Sequence, residues 1–347
     1  MLGLKIDRYS TRRRVGLQAS DRRSCGLTQD VALIEDENAE RQGFIAMTDT
    51  KQAVINLFSD FTVETTPNSA LKIADFNARL RNDTPVYVTF LPGSDVYETV
   101  TVAKRLRGEG FKPIPHIAAR SLQSEDMLSE ILKRYVGEAG VEHVLTIAGG
   151  VDNPLGPYDS SMAVLESGLI DKAGISKVSV AGHPEGSPDI TDEAIKEALA
   201  WKNSFAERTG AALDIVTQFA FEAEPLIAWD RRINADGNKL PIRIGLPGLA
   251  TIKTLLGFSK AAGVGNSIRF LMKRAADVPK LMIVNAPDKQ VIDLARYVAE
   301  DANPGISGVH MYAIGGLKRT SAWSYALRDG LFDVTNQDQI KVAVDLG

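Results

Sequence analysis

Cysteine is almost absent from this chain. Cys25 is the only one in 347 residues, which excludes an internal disulfide framework and a cysteine-ligated metal cluster. No apolar run reaches the roughly 18 residues that a membrane-spanning helix requires, so no membrane partner is expected. Positive charge is not in excess either. The chain has 40 Lys and Arg against 44 Asp and Glu, a formal net charge of −4, whereas nucleic acid and anionic membranes call for a basic face. Nucleic acid is therefore not expected as a partner. What remains is ordinary globular composition, 44% hydrophobic and 24% charged, and a cytoplasmic enzyme is the default reading.

The first 46 residues differ from the rest. They carry Arg12-Arg13-Arg14, Arg22-Arg23 and the acidic Glu35-Asp36-Glu37, with no sustained apolar period. Transit peptides are rich in Arg and Ser, but the acidic residues and the missing amphipathic helix oppose that reading. Met47, followed by Thr48-Asp49-Thr50-Lys51, precedes the first patterned segment and is a plausible alternative start. Residues 1–46 are expected to be a poorly structured, dispensable extension, and 47–347 a single domain. The chain ends soon after its last patterned unit, so feedback control by an appended C-terminal domain is not expected.

From Val54 onward, short Val/Ile-rich runs alternate with helical spacing. The runs are Phe58–Thr65, Val86–Phe90, Pro113–Ile117, His143–Ala148, Val178–Ala181, Ile215–Phe219, Ile242–Leu246 and Gly308–Ala313. Continuous apolar runs of this length suit parallel strands buried on both faces. Between them, helical periods are predicted over Ser69–Leu80, Tyr97–Arg107, Ser124–Tyr135, Asp192–Phe205, Ile252–Ala262 and Lys289–Ala299. Eight strands with intervening helices over about 290 residues predict an α/β fold of the (β/α)8 TIM-barrel type. An open doubly wound sheet would place a glycine-rich phosphate turn after the first strand. Here that turn is Thr65-Thr66-Pro67-Asn68, without glycine. Gly263-Val264-Gly265 follows a helix instead of a strand and reads as a helix C-cap.

In such barrels the polar residues at the C-terminal strand ends converge and are catalytic candidates. They are Glu64, Thr89, His116, the Gly149-Gly150 pair with Asp152, His183, Gln218 and Tyr312. A carboxylate at a buried strand end is desolvated, which should raise the pKa of Glu64 and suit it to proton donation; a structural carboxylate is the alternative. Gln218 can offer donor and acceptor to a flat heterocycle with an amide-like edge, or it can simply bond its neighbours inside the barrel. Three histidines near strand ends raise a metal site, but a His-x-His pair is missing, and no metal is expected.

The strand-end segments together resemble the methylenetetrahydrofolate reductase family. They are Val63-Glu64-Thr65-Thr66-Pro67, Val86-Tyr87-Val88-Thr89, Pro115-His116-Ile117, Ala148-Gly149-Gly150, Val180-Ala181-Gly182-His183-Pro184-Glu185, Thr217-Gln218-Phe219, Gly245-Leu246-Pro247-Gly248 and Gly308-Val309-His310-Met311-Tyr312. They occur in family order over about residues 54 to 325. The resemblance implies bound FAD, a folate substrate and NADH or NADPH as a possible electron donor. It assigns Glu64 as general acid and base, with Asp152 near the flavin. It assigns Gln218, Phe219, Ile252 and Tyr312 to the substrate face, and Thr89, His116, Ala148, Gly149, Gly150, Tyr158, His183 and Lys202 to the cofactor. A homo-oligomer is expected.

Three departures qualify that assignment. Many members carry Arg-Gly-Asp after strand four, where this chain has Ala148-Gly149-Gly150. A phenylalanine that often stacks on substrate corresponds to the region Leu249-Ala250-Thr251-Ile252, and a common tyrosine is replaced by His183. These changes imply altered flavin tuning and poorer use of NADH, with Glu64 and Gln218 kept. Two other readings stay open: the same folate chemistry run oxidatively in one-carbon catabolism, and a folate-binding barrel without redox activity.

Overall fold

The computed structural model describes residues 49–91, 93–187, 190–262 and 283–346. The proposed extension 1–46, its boundary at Met47 and the glycine pair at 263 and 265 lie outside the described residues. A first helix, α1 (49–58), leads into β1 (Thr62–Thr65). There follow α2 (Pro67–Ala70), β2 (Pro85–Val88), α3 (Tyr97–Gly108), β3 (Lys112–Ala118), α4 (Glu125–Ala139) and β4 (His143–Ile147). Next come α5 (Ser161–Glu166), α6 (Leu169–Lys172), β5 (Lys177–Gly182), α7 (Asp192–Thr209), β6 (Ala212–Phe219), α8 (Ala223–Ala235) and β7 (Ile242–Pro247). After a small antiparallel pair, β8 (Ala250–Thr251) with β9 (Val284–Asn285), which flanks α9 (Ile252–Ala262), come α10 (Asp288–Glu300) and β10 (Ile306–Tyr312). Helix α11 (Leu317–Arg328) and the hairpin β11 (Phe332–Val334) and β12 (Ile340–Val342) complete the chain.

Strands β1 to β7 and β10 pair in parallel and close into an eight-stranded barrel in which β10 joins β7 to β1. The fold is the (β/α)8 barrel. Period-two alternation sorts the side chains into two cores. Outward residues such as Val63, Val86, Val180 and Val309 pack beneath the helices. Inward residues Tyr87, Ile114, Leu145 and Val216 fill the barrel centre, so it is a packed plug and not a pore.

Below that plug, towards the strand N-termini, sits a buried polar layer. The Ser179 hydroxyl donates to Asp214 and receives Tyr87 Oη at 2.9 Å and His143 Nε2 at 2.8 Å. One hydroxyl proton and two lone pairs are thereby fully used, which fixes the N–H of His143 on Nε2. Asp214 also holds Lys177 Nζ at 2.6 Å and Arg243 Nε at 3.9 Å, and Arg243 reaches on to Asp60.

Two expected elements are corrected. The run Phe58–Thr65 is strand only from Thr62, because Phe58 closes α1 and packs edge-on against Trp323 at 5.6 Å. Ser69–Leu80 is not a helix. Thr66, not Ser69, caps the four-residue α2. Beyond it, the Arg105 guanidinium takes the carbonyls of Ala70, Ile73 and Ala74 at 2.7–3.1 Å. Those are the acceptors a continuing helix would need, and a charge-assisted tertiary donor outcompetes them. Ile73, Phe76 and Leu80 are still buried, whereas Leu71 is 80% exposed.

Candidate functional site

Three inward side chains meet at the C-terminal ends of β1, β2 and β10. Glu64 accepts the Thr89 hydroxyl at 3.0 Å and faces His310 Nε2 at 3.6 Å. The other nitrogen of His310, Nδ1, lies 2.7 Å from the Thr62 hydroxyl. With Nε2 protonated toward the carboxylate, Thr62 donates to Nδ1, giving the chain Thr62–His310–Glu64–Thr89. Tyr87 and Tyr312 clamp the His310 ring edge-to-face at 4.6 and 4.9 Å.

The electrostatics correct the expectation for Glu64. Burial does push its carboxyl up, but the His310 ring 3.6 Å away and the Thr89 hydroxyl outweigh it. The net result is a carboxyl below its ordinary range, ionised at neutral pH. His310 is the partner that the strand-end reading passed over. Its signal was available in the alternation Gly308-Val309-His310-Met311-Tyr312. Val309 and Met311 are fully buried under the helices, which turns His310 and Tyr312 inward.

His116 lies in the same layer, 6.0 Å from the Tyr87 ring. Burial drives its pKa down to about 4, so it is neutral, with one N–H and one lone pair. Neither ring nitrogen has a protein partner. Such a pair is costly to bury unless a ligand completes it. Gln218, at the end of β6, is half-buried, and its amide makes no hydrogen bond within the described residues. The bonded-amide alternative is therefore not what the structure contains. Close approach of β7 to this strand end depends on Gly245, where a Cβ would lie 2.5 Å from the Thr217 carbonyl oxygen and 2.7 Å from that of Gln218. Tyr312 donates to the Thr217 carbonyl at 2.9 Å and stacks edge-on with buried Phe219 at 5.0 Å, and Phe221 flanks Phe219 at 5.7 Å. Half-buried Phe221 adds an aromatic to this mouth that the sequence reading did not single out.

A groove of about 700 Å³ opens beside this centre, running from Ala148 and Ala181–His183 down between α7 and α8. Its most buried cation is Lys202, 7% exposed. Burial draws the Lys202 ammonium down to about 8, and no carboxylate pairs with it among the described residues. His183 lines the same groove, held to about 4 by burial and by the Lys202 charge. Gly149 has φ +94°, a backbone only glycine adopts without strain, and a Cβ there would sit 3.1 Å from that of Ala118. Gly150 and Asp152 are exposed on the loop that follows.

Three candidates lie elsewhere than expected. Tyr158 is buried in the helix-side core with its hydroxyl bonded to Ser167, and it does not line the groove. Ile252 is buried, 5% exposed, so it presents no stacking surface. Asp152 makes no contact with Glu64, and the site's carboxylate chemistry rests on Glu64 alone among the described residues.

Three histidines are held in their neutral form by desolvation, buried His116 and half-buried His143 and His183, each with a pKa near 4. An unfolded histidine titrates near 6.5, so on acidification the unfolded chain takes up these protons first. Stability is intact above about pH 6.5 and falls as the pH drops towards 4. Each such histidine steepens the fall by about 1.4 kcal/mol per pH unit. Denaturant midpoints measured between pH 7 and 4 should show the loss, and a flat profile would contradict the neutral assignment.

Comparison with known proteins agrees with the barrel fold. The chain resembles a Clostridium thermocellum protein that binds two copies of 5-methyl-5,6,7,8-tetrahydrofolic acid, with a TM-score of 0.53 and 14% identity over 80% of this chain and 97% of that one. At that identity the likeness shows the barrel fold. A dihydropteroate synthase from Thermus thermophilus is more distant, with a TM-score of 0.38 and 12% identity over 78% of this chain and 94% of that one. The family model for methylenetetrahydrofolate reductase matches residues 46–322, spanning the eight-stranded circuit from β1 to β10, and the chain belongs to the methylenetetrahydrofolate reductase family.

Proposed function

We propose that the protein is an FAD-dependent oxidoreductase interconverting 5,10-methylenetetrahydrofolate and 5-methyltetrahydrofolate. The observation that carries this reading is an ionised, histidine-held Glu64 at the barrel mouth, in a strand-end layer where the Gln218 amide and both His116 nitrogens lack protein partners. FAD fits the remaining features. His116 and Thr89 would meet the flavin, and Ala148, Gly149, Gly150, His183 and Lys202 the rest of the cofactor. When bound, FAD supplies the hydride carrier at its N5 position.

The protein's own residues supply alignment and one proton. Gln218 orients the pterin through its paired donor and acceptor. Glu64 exchanges the proton at N10 of the folate as the five-membered ring opens or closes. His310, bonded to Thr62 through Nδ1 and facing Glu64 through Nε2 at 3.6 Å, holds the carboxylate in place and ionised. The aromatic group Phe219, Phe221 and Tyr312 provides an apolar wall that excludes water.

One observation favours the oxidative direction. The resting form of Glu64 is the carboxylate, which is the form that accepts the N10 proton when the ring closes. The β4 end lacks a carboxylate, and Ile252 offers no stacking face, both consistent with poor use of NADH. Anaerobic mixing with NADH and, separately, with 5-methyltetrahydrofolate distinguishes the readings. Flavin should bleach faster with the folate. Equal or faster bleaching by NADH would point to a nicotinamide-driven reductase. Folate binding by a colourless protein would leave a folate-binding barrel without redox activity.

A further inference from the structure

Tyr87 connects two buried layers of the barrel, the ionic layer towards the strand N-termini and the catalytic layer at the strand C-terminal ends. It stands on β2 opposite Glu64 of β1, fully buried in the plug with Ile114, Leu145 and Val216. Its hydroxyl is anchored, donating to Ser179 Oγ at 2.9 Å. Ser179 is locked in turn, because it gives its own proton to Asp214 and accepts a second hydrogen bond from His143. Lys177 and Arg243 hold Asp214. Burial and the Asp214 charge raise the phenol's pKa, so the hydroxyl stays a donor throughout the ordinary pH range. The ring reaches the other layer. Its centroid lies 4.6 Å from that of His310, with the planes at 66°.

His310 depends on that contact. Thr62 fixes Nδ1 at 2.7 Å, but a single hydrogen bond leaves an imidazole free to pivot. Nε2 stands 3.6 Å from Glu64, beyond the range at which a hydrogen bond would hold the ring. The edge-to-face clamp of Tyr87 and Tyr312 is what restrains it. Both jaws are tethered through their hydroxyls, Tyr312 to the Thr217 carbonyl at 2.9 Å and Tyr87 to Ser179. We propose that Tyr87 is a positioning residue for the Glu64–His310 pair, holding the imidazole edge towards the carboxylate with a ring that Ser179 anchors from the ionic layer. The assignment rests on the reading of Glu64 as acid and base. It extends the apparatus that places the proton through the plug to Asp214, and Tyr87 acts through His310 instead of by contact with substrate.

Tyr87→Phe tests this in the full chain as purified with its flavin. The variant keeps the ring, and Ser179 still gives its proton to Asp214 and accepts from His143, so no buried donor is orphaned and the fold should hold. Two readouts are needed. Nitrogen-15 NMR of the four histidines, with His310→Gln for assignment, reports the His310 tautomer. Wild type should show one tautomer, protonated on Nε2, and Tyr87→Phe a mixture. Oxidation of 5-methyltetrahydrofolate with a quinone as electron acceptor reports the proton step. Its limiting rate should fall roughly 3- to 10-fold, while the half-saturating folate concentration changes less than about twofold. Among the described residues, His310, His116 and Tyr312 are the titratable groups facing Glu64. A His310 that swings away lowers the Glu64 pKa less, so the acid limb of the rate profile should move to higher pH. A single His310 tautomer in the variant, or a rate and acid limb equal to wild type, would overturn the proposal. So would a joint loss of flavin content and folate affinity, the mark of a collapsed plug. If wild type does not oxidise the folate, the functional reading falls, and the tautomer alone decides whether Tyr87 holds His310.

Discussion

Glu64→Gln is expected to keep its bound flavin and to lose folate turnover by about 10²- to 10⁴-fold, the usual contribution of a positioned acid or base. The amide preserves shape and still accepts the Thr89 hydroxyl that lies 3.0 Å from the native carboxylate. Its NH₂ would face His310 Nε2, but that ring can shift its proton to Nδ1 and have Thr62 accept it, so the site should stay assembled. No other carboxylate among the described residues contacts this centre to take over the proton. Stopped-flow reduction of the flavin by 5-methyltetrahydrofolate, with flavin content measured in the same sample, separates chemistry from binding. Near-normal reduction in the variant would remove Glu64 from the mechanism.

Asp214→Ala should be the most damaging change outside the mouth, costing about 3–5 kcal/mol. The carboxylate is 3% exposed and gathers Lys177, Arg243 and the Ser179 hydroxyl beneath the barrel plug. Its removal strands Arg243, whose side chain is 11% exposed, with Asp60 as its remaining ion-pair partner. It also leaves the Ser179 proton without an acceptor while Tyr87 and His143 still donate to that oxygen. The guanidinium midpoint should drop with an unchanged denaturant slope, the mark of lost native stability. A loss below about 1 kcal/mol would mean that Lys177, whose side chain is 37% exposed, escapes to water and that Asp60 alone satisfies Arg243.

The barrel was legible because its strands are buried on both faces, a burial that writes itself as continuous apolar runs. Strand ends, and hence Glu64, Thr89, His116, His183 and Gln218, followed from the same pattern. What stayed hidden was set by groups distant in sequence. The stripe from Ser69 to Leu80 looked helical until Arg105, from another element, claimed its carbonyls. The resemblance assigned Tyr158 to the cofactor, yet Ser160 caps α5 and turns the chain so that the ring packs inward. The sign of the Glu64 shift could not be read from burial alone. It depends on His310, which lies on the last barrel strand and meets Glu64 only when the barrel closes. Lys202 and Phe205, three apart on α7, share a buried face, and periodicity cannot distinguish a lysine that lies along a surface from one that enters a groove.

Helix α7 has 18 residues, of which only Lys202 and Phe205 are buried. A helix attached by so little surface has a low free energy of local opening, and its amides should exchange with solvent well before those of β5 or β6. Any ligand that bridges Lys202 to the strand ends would therefore complete the packing of this side of the barrel as it binds. At a concentration one hundred times its dissociation constant, such a ligand adds about 2.7 kcal/mol to the folded state. Proteolytic resistance of α7 would then track ligand loading, and resistance to cleavage would report occupancy without any assay of turnover.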